Sequence, residues 1–402
     1  MSTDKLKIVH FIRAPLGGAF RHLMDLVEEQ IKIGHELGII CASNHIPPSS
    51  RDQLEAIRPR LALGLTSVPM ARSLSPKDLP NFHKLFKHLS LQKPDVLHGH
   101  GAKGGVFART IGSALKLRGI EAQRVYSPHG GSLHYDSSTS AGKVYIRLEK
   151  LLRPLTDALV FTSAFEKAAY QQKIGLNATS LRYKIVHNGL KPDEFKYSVP
   201  PDDAADLLFI GELRHLKGVD LLINALHDLN KTSKLTLAIV GDGPDRSKFE
   251  QMVREKNLQA TVTFHGFLPL NQALQLGKTA VIPSRAEALP YIVLELLAAQ
   301  KPLITTHVGG IPEIYAGYEK TLVQPDDQQA LTKAIAHALS HPAEQTQLSQ
   351  QLQNHLRTKF VLPQMAQSIT QFYHPIQSAK DELAHASWRS GQSNLSAQNR
   401  HT

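Results

Sequence analysis

The stretch Ser284-Arg285-Ala286-Glu287-Ala288-Leu289-Pro290-Tyr291-Ile292-Val293-Leu294-Glu295-Leu296-Leu297-Ala298-Ala299 places two carboxylates with seven residues between them. It follows an apolar run at 280–283 that reads as a strand, and from Tyr291 onward it reads as an apolar helix. A strand ending in a polar loop that opens a helix is the repeating step of a parallel sheet covered on both faces. Such sheets bind ligands beyond the carboxyl ends of their strands, which is where Glu287 falls. A carboxylate there can accept hydrogen bonds from sugar hydroxyls, and Glu295, further along the helix, can hold the two hydroxyls of a ribose. An isolated pair of this kind is better explained as a loop charge and a partly exposed helix residue.

The same step recurs in both directions along the chain. Strands are expected at 7–12, 37–42, 66–68, 96–98, 124–127, 158–162 and 184–187, with helical spacing between them at 18–33 and 103–117. The rhythm restarts at 207–211, 235–240, 262–264, 280–283 and 302–305. Two such series predict two Rossmann-like domains. Residues 188–203, with Asn188-Gly189, three prolines and four acidic residues, read as the linker. Helices are expected at 327–339, 342–359 and 362–372, and the polar segment 378–402 reads as a disordered tail.

Two more strand ends carry chemistry in the second half. Gly211-Glu212-Leu213-Arg214-His215-Leu216-Lys217-Gly218 sets two cations in a loop that opens a helix. Arg214 and Lys217 can clamp a diphosphate there, the helix N-terminus adding its own attraction for anions. Each charged contact is worth roughly 1.5–3 kcal/mol. Val240-Gly241-Asp242-Gly243-Pro244 again runs from strand to helix, and Gly241 permits close backbone approach. The first half supplies an opposite wall. Pro15-Leu16-Gly17-Gly18-Ala19-Phe20-Arg21-His22 enters a helix without the G-x-G-x-x-G dinucleotide fingerprint, yet its glycines free backbone N–H groups for a phosphate. His98-Gly99-His100 and Ser127-Pro128-His129-Gly130-Gly131 are further polar strand ends; three of them in one domain look like a lined cleft.

These residues together resemble the GT-B retaining glycosyltransferases of the group-1 class, glycosyltransferase family 4, over about residues 5–372. The E-x7-E pattern from Glu287 to Glu295 is the most specific element, with Asn188-Gly189, Gly241-Asp242-Gly243-Pro244 and Gly309-Gly310-Ile311-Pro312-Glu313 as further punctuation. The resemblance implies an α/β GT-B fold, two Rossmann-like domains facing each other across a cleft. The acceptor-side domain would be 1–190, joined by a crossing helix at 360–375; the nucleotide-sugar domain would be 204–359; 376–402 would be a tail. It also implies roles. Lys217 would neutralise the donor diphosphate, Glu287 contact the transferred sugar, and Glu295 hold the ribose. Gly17 and Gly18 would offer N–H groups to phosphates, His129 would face the donor sugar, and Arg214 and Gly241 would complete the donor site. Two departures stand out: Glu212 occupies the position where the family often has arginine, and Ala288-Leu289-Pro290 replaces its frequent glycine-phenylalanine-glycine.

The expected activity is retaining, front-face transfer of a sugar from an NDP-sugar to a hydroxyl acceptor, lipid-linked or oligosaccharide, in cell-surface polysaccharide or glycolipid synthesis. No Asp-x-Asp stands at a suitable strand end, so no metal and no cofactor beyond the donor are expected. The rivals are a catalytically silent GT-B scaffold and a sugar-nucleotide epimerase or hydrolase. The net charge of +11 admits a nucleic-acid partner, but zinc-ligand spacing and aromatic-basic interleaving are missing, so none is expected. The apolar run near the start is too short for a signal-peptide core, which points to the cytosol. Residues 77–93 pattern as a basic amphipathic helix; this suits first an ordinary covering helix packed on the sheet, and second peripheral contact with an anionic membrane. The lone cysteine, Cys41, reads as a packed strand thiol.

Overall fold

Short β-branched runs that are buried on both faces pair in parallel only when helices cover them, and the chain alternates accordingly. The computed structural model describes residues 5–44, 46–71, 75–76, 78–134, 138–176 and 181–374. The first sheet contains β1 (Lys7–Ile12), β2 (Glu36–Ala42), β3 (Gly64–Val68), β4 (Val96–His100), β5 (Gln123–Ser127), β6 (Ala158–Phe161) and β7 (Arg182–Ile185). Their spatial order is β3-β2-β1-β4-β5-β6-β7, parallel throughout. The second contains β8 (Ala205–Ile210), β9 (Leu237–Val240), β10 (Val262–Gly266), β11 (Gly277–Ile282) and β12 (Leu303–Thr305), in the order β10-β9-β8-β11-β12, also parallel.

Each strand expected from sequence is present, and the shifted ends have physical reasons. Pro283 and Pro302 lack the N–H a ladder needs and stand just outside β11 and β12. β4 runs on to His100, which pairs with Ile12 on one side and Ser127 on the other. β7 stops at Ile185, leaving His187 and Asn188 free of the ladder for contacts with the second unit.

Strand order reverses between β1 and β4 and between β8 and β11, which opens a crevice at the carboxyl edge of each sheet. The last helix among the described residues, Leu362–Tyr373, returns to the first unit. It buries Leu362, Met365, Ala366, Ile369 and Tyr373 in the core under helix Gly17–Lys32. The two chain crossings lie side by side: the Leu190 amide donates to the Phe360 carbonyl at 2.9 Å, and the Leu362 amide to the Leu190 carbonyl at 2.8 Å. A third tie is Glu313, whose carboxylate accepts from the Ala164 and Phe165 amides at the start of helix Ala164–Lys173, and lies 2.8 Å from His187 Nε2. That tie spans the two units.

Helix Asp78–Gln92 buries Leu85 and Leu89 against the other face of the first sheet, with Phe82 and Phe86 packed beside them. Leu79 and Leu91 on the same helix are 70% and 80% exposed. Cys41 is buried in β2, and burial pushes its thiol pKa up, as suits a packed thiol. Among the described residues no helix is long and apolar enough to cross a membrane. The expected tail, 376–402, lies outside the described residues.

Candidate active site

The loop after β8 folds against the end of β11. Gly218 makes this possible: its φ is +72°, and a Cβ would stand 2.0 Å from the Pro283 carbonyl oxygen. The tight 3-10 turn His215–Lys217 then aims Lys217 at the neighbouring strand end. Its Nζ lies 2.7 Å from Glu287 Oε1, which also accepts from Ser284 Oγ at 2.7 Å. Sequence reasoning gave Lys217 and Glu287 different partners; here each is the other's. The pair is tucked away, with side-chain exposures of 22% and 8%, so each charge offsets the cost of burying the other.

The remaining candidates on this wall are placed differently. Arg214 Nη1 sits 3.4 Å from Glu212 Oε2, both side chains near the surface. Gly241, with φ +132°, lets the loop after β9 press on the loop after β8, since a Cβ would meet the Gly211 carbonyl at 1.9 Å. Arg285 was missed by motif reading. It pairs with Asp220 at 2.7 and 2.8 Å, with Asp326, and with the His215 carbonyl at 2.6 Å, locking the Lys217 turn to the Glu287 loop.

Glu295 faces the opposite wall. Its carboxylate is bonded by Arg21 of helix Gly17–Lys32, whose guanidinium also reaches Glu194 at 2.5 Å and lies 4.5 Å from the centre of the Tyr291 ring. Gly17 and Gly18 open that helix, and a Cβ on Gly18 would touch the Tyr291 ring at 3.4 Å. The glycine turn and the Glu295 helix are therefore in close apposition.

Behind this turn β1, β4, the end of β5 and helix Gly17–Lys32 gather five histidines. His10 Nδ1 is 2.9 Å from His100 Nε2, and His100 Nδ1 is 3.0 Å from His129 Nε2. His98 bonds Tyr373 OH at 2.7 Å and Ser127 Oγ at 2.8 Å. His22 Nδ1 bonds Asn188 Oδ1 at 3.0 Å, and Asn188 Nδ2 donates to the Leu289 carbonyl at 2.8 Å, so one linker residue joins the cluster to the Glu287 loop. Burial drives the His10 and His22 pKa values down to about 4 and those of His98, His100 and His129 well below their usual 6.5, so the rings are neutral at neutral pH. His129 is half-buried and takes φ +52°, a left-handed conformation fixed by the next residue: the Gly130 amide donates at 2.5 Å to the buried Glu166 carboxylate. The triplets His10–His98–His100 and His22–His100–His129 each bring ring nitrogens within 4.8 Å, a spacing able to hold a transition metal, although hydrogen bonds already use most of these nitrogens. Sequence alone singled out His129 for a role and marked His98 and His100 as a polar strand end; Asn188 stood in an Asn-Gly step read as linker, and His10 and Gln30 gave no motif.

Comparison with known proteins agrees with this architecture. A family model described as Glycosyltransferase Family 4 matches residues 16–194, and one described as Glycosyl transferases group 1 matches 191–355. An uncharacterised glycosyltransferase of Methanocaldococcus jannaschii is 24% identical over 74% of this chain and 79% of its own. An uncharacterised 41.2 kDa protein in the cps region of Klebsiella pneumoniae is 24% identical over 73% and 82%. The crystal structure of Anabaena HepE in complex with UDP and glucose superposes with a TM-score of 0.75 at 17% identity, over 91% of this chain and 99% of that one. With two parallel-sheet units in the GT-B arrangement and both halves matched by these families, the chain is a glycosyltransferase and belongs to the group-1 class of family 4 type.

Proposed function

We propose that the enzyme transfers a sugar from a nucleoside-diphosphate donor to a hydroxyl acceptor with retention of anomeric configuration and without a metal. The observation that carries this reading is the Lys217–Glu287 pair at the carboxyl edge of β11, beside the point where strand order reverses. The entering diphosphate draws the Lys217 ammonium from Glu287 and gains a counter-charge; Glu287, released, accepts hydrogen bonds from the sugar. Glu295 exchanges Arg21 for the ribose hydroxyls. The bond from the anomeric carbon to the diphosphate oxygen breaks and the acceptor oxygen bonds to the same face. The hydroxyl proton passes to the departing phosphate. Lys217 and the helix N-termini beside it stabilise the charge that builds on the leaving group. Closure of the two units excludes water from this step.

From the first, acceptor-side unit the glycine turn offers the backbone N–H groups of Gly17 and Gly18 to the donor phosphates, and His129 faces the donor sugar. The UDP and glucose bound by the structural relative HepE support a nucleotide-sugar donor, and the Klebsiella cps-region relative supports a cell-surface product. The exposed Leu79 and the exposed His83, Lys84 and Lys87 of helix Asp78–Gln92 support peripheral contact with an anionic membrane from the cytoplasmic side, where a lipid-linked acceptor would be presented. The test is product analysis by proton NMR after incubation with nucleotide sugars, with and without sugar acceptors. An inverted anomer would refute retention. Equal donor consumption without any acceptor would favour a hydrolase or epimerase.

A further inference from the structure

Gln30 is wholly buried in helix Gly17–Lys32, on the side of His10 that faces away from His100. Its amide nitrogen contacts Thr370 Oγ1 and Tyr373 OH, each at 3.3 Å, and its Oε1 faces His10 Nε2 at 2.8 Å. An amide oxygen only accepts, so His10 carries its proton on Nε2 and its Nδ1 is a lone pair. His100 must then donate through Nε2, which leaves its Nδ1 unprotonated. His129 must in turn donate through Nε2. The orientation of one amide is thus passed through three neutral imidazoles.

The chain ends on His129 Nδ1, a lone pair with no hydrogen-bond partner among the described residues, on a ring that is half-buried. A second lone pair stands beside it. His22 donates through Nδ1 to Asn188 Oδ1, so its buried Nε2 is unprotonated and has no partner, and its ring centre lies 4.7 Å from that of His129.

We propose that Gln30 is a positioning residue which, through His10 and His100, holds His129 in the Nε2–H form, so that Nδ1 is a fixed acceptor and the substrate group docking there is a hydroxyl rather than a carboxylate. The tautomer follows from the orientation of the Gln30 amide, oxygen toward His10; naming the docking group as a sugar hydroxyl rests on the transfer reading. A carboxylate at this point would face an uncompensated lone pair in a partly desolvated site, and a sugar hydroxyl would find its acceptor ready-made.

The experiment is long-range 1H–15N correlation of histidine-labelled full-length protein at neutral pH, with His129 assigned from a His129→Asn variant. The expected result is Nε2–H for His10, His100 and His129 and Nδ1–H for His22. Gln30→Glu keeps an acceptor opposite His10 and retains the pattern. Gln30→Met removes it, and His129 then shows a mixture of tautomers, with KM for the nucleotide sugar raised about tenfold, the loss of one hydrogen bond, and restored in the Glu variant. His129 protonated on Nδ1 in the wild type would overturn the proposal, as would a Gln30→Met protein with wild-type tautomers. The spectra of the wild type and the Glu variant decide the tautomer even if the Met variant does not fold or no donor is turned over, so failure here is distinct from failure of the transfer reading.

Discussion

The ammonium of Lys217 lies 2.7 Å from the carboxylate of Glu287, a residue 70 positions later in the chain, with Ser284 donating to the same oxygen. In the free enzyme the group assigned to the diphosphate and the group assigned to the sugar neutralise each other. Neither carries an unpaired charge in a site where such a charge would be costly, and an anionic donor exchanges one counter-charge for another.

Because the two residues act as a unit, their removal is expected to be non-additive. Lys217→Ala and Glu287→Ala should each lower kcat by about 100- to 1,000-fold, and the double variant should be little worse than the poorer single. A double-mutant cycle on donor turnover measures this, and simple additivity would show that the contact has no part in turnover.

Arg21 holds Glu295 in the absence of donor. Arg21→Ala should tighten binding of a nucleoside diphosphate about three- to tenfold, since the ribose no longer displaces a charge-assisted hydrogen bond; Glu295→Ala should weaken it by a similar factor. Calorimetry decides, and weaker binding in Arg21→Ala would make Arg21 a donor contact.

The histidine cluster is buried neutral, so acid should unfold the protein. His10 and His22 titrate near 4 in the folded state and near 6.5 when exposed, so the unfolded chain binds more protons between those values. Stability is fully present above pH 6.5 and falls as pH drops toward 4, by roughly 3 kcal/mol for each of the two rings. Urea unfolding across this range measures the slope, and His10→Gln should reduce it. A flat profile between pH 6.5 and 4.5 would contradict the neutral cluster.

Glu313 ties the second unit to the first through three hydrogen bonds. Burial works against its ionisation, but the bonds from His187 and the two amides outweigh this and lower its pKa. Glu313→Ala should loosen closure, seen as a larger radius of gyration in small-angle scattering with the melting temperature little changed. An unchanged radius would show that the chain crossings at Leu190 and Phe360 suffice to hold the units together.

The sheets were legible because β-branched runs and glycine-marked ends recur at strand length, and that rhythm is local. The edges were less so: β11 begins at Gly277, three residues ahead of its apolar run, because Gly277 finds a partner in Ala205 on β8. Glu287 and Lys217 could be named from their loops, but their mutual contact depends on Gly218 fitting under the Pro283 carbonyl, a long-range fit. Arg285 stood within the decisive motif and still gave no sign of its partners, since Asp220 comes from the first turn of helix Val219–Leu229 and Asp326 from a separate turn. Gln30 was invisible for a related reason. A polar residue on a helix facing the sheet carries no pattern until Tyr373, from the far end of the chain, arrives beside it.

The most direct test of the account is release of nucleoside diphosphate from a panel of nucleotide sugars, measured in EDTA with wild type, Lys217→Ala and Glu287→Ala. The account predicts turnover of one donor that chelation leaves unchanged and that both variants lose. Turnover abolished by EDTA and restored by a divalent cation, or retained in both variants, would contradict it.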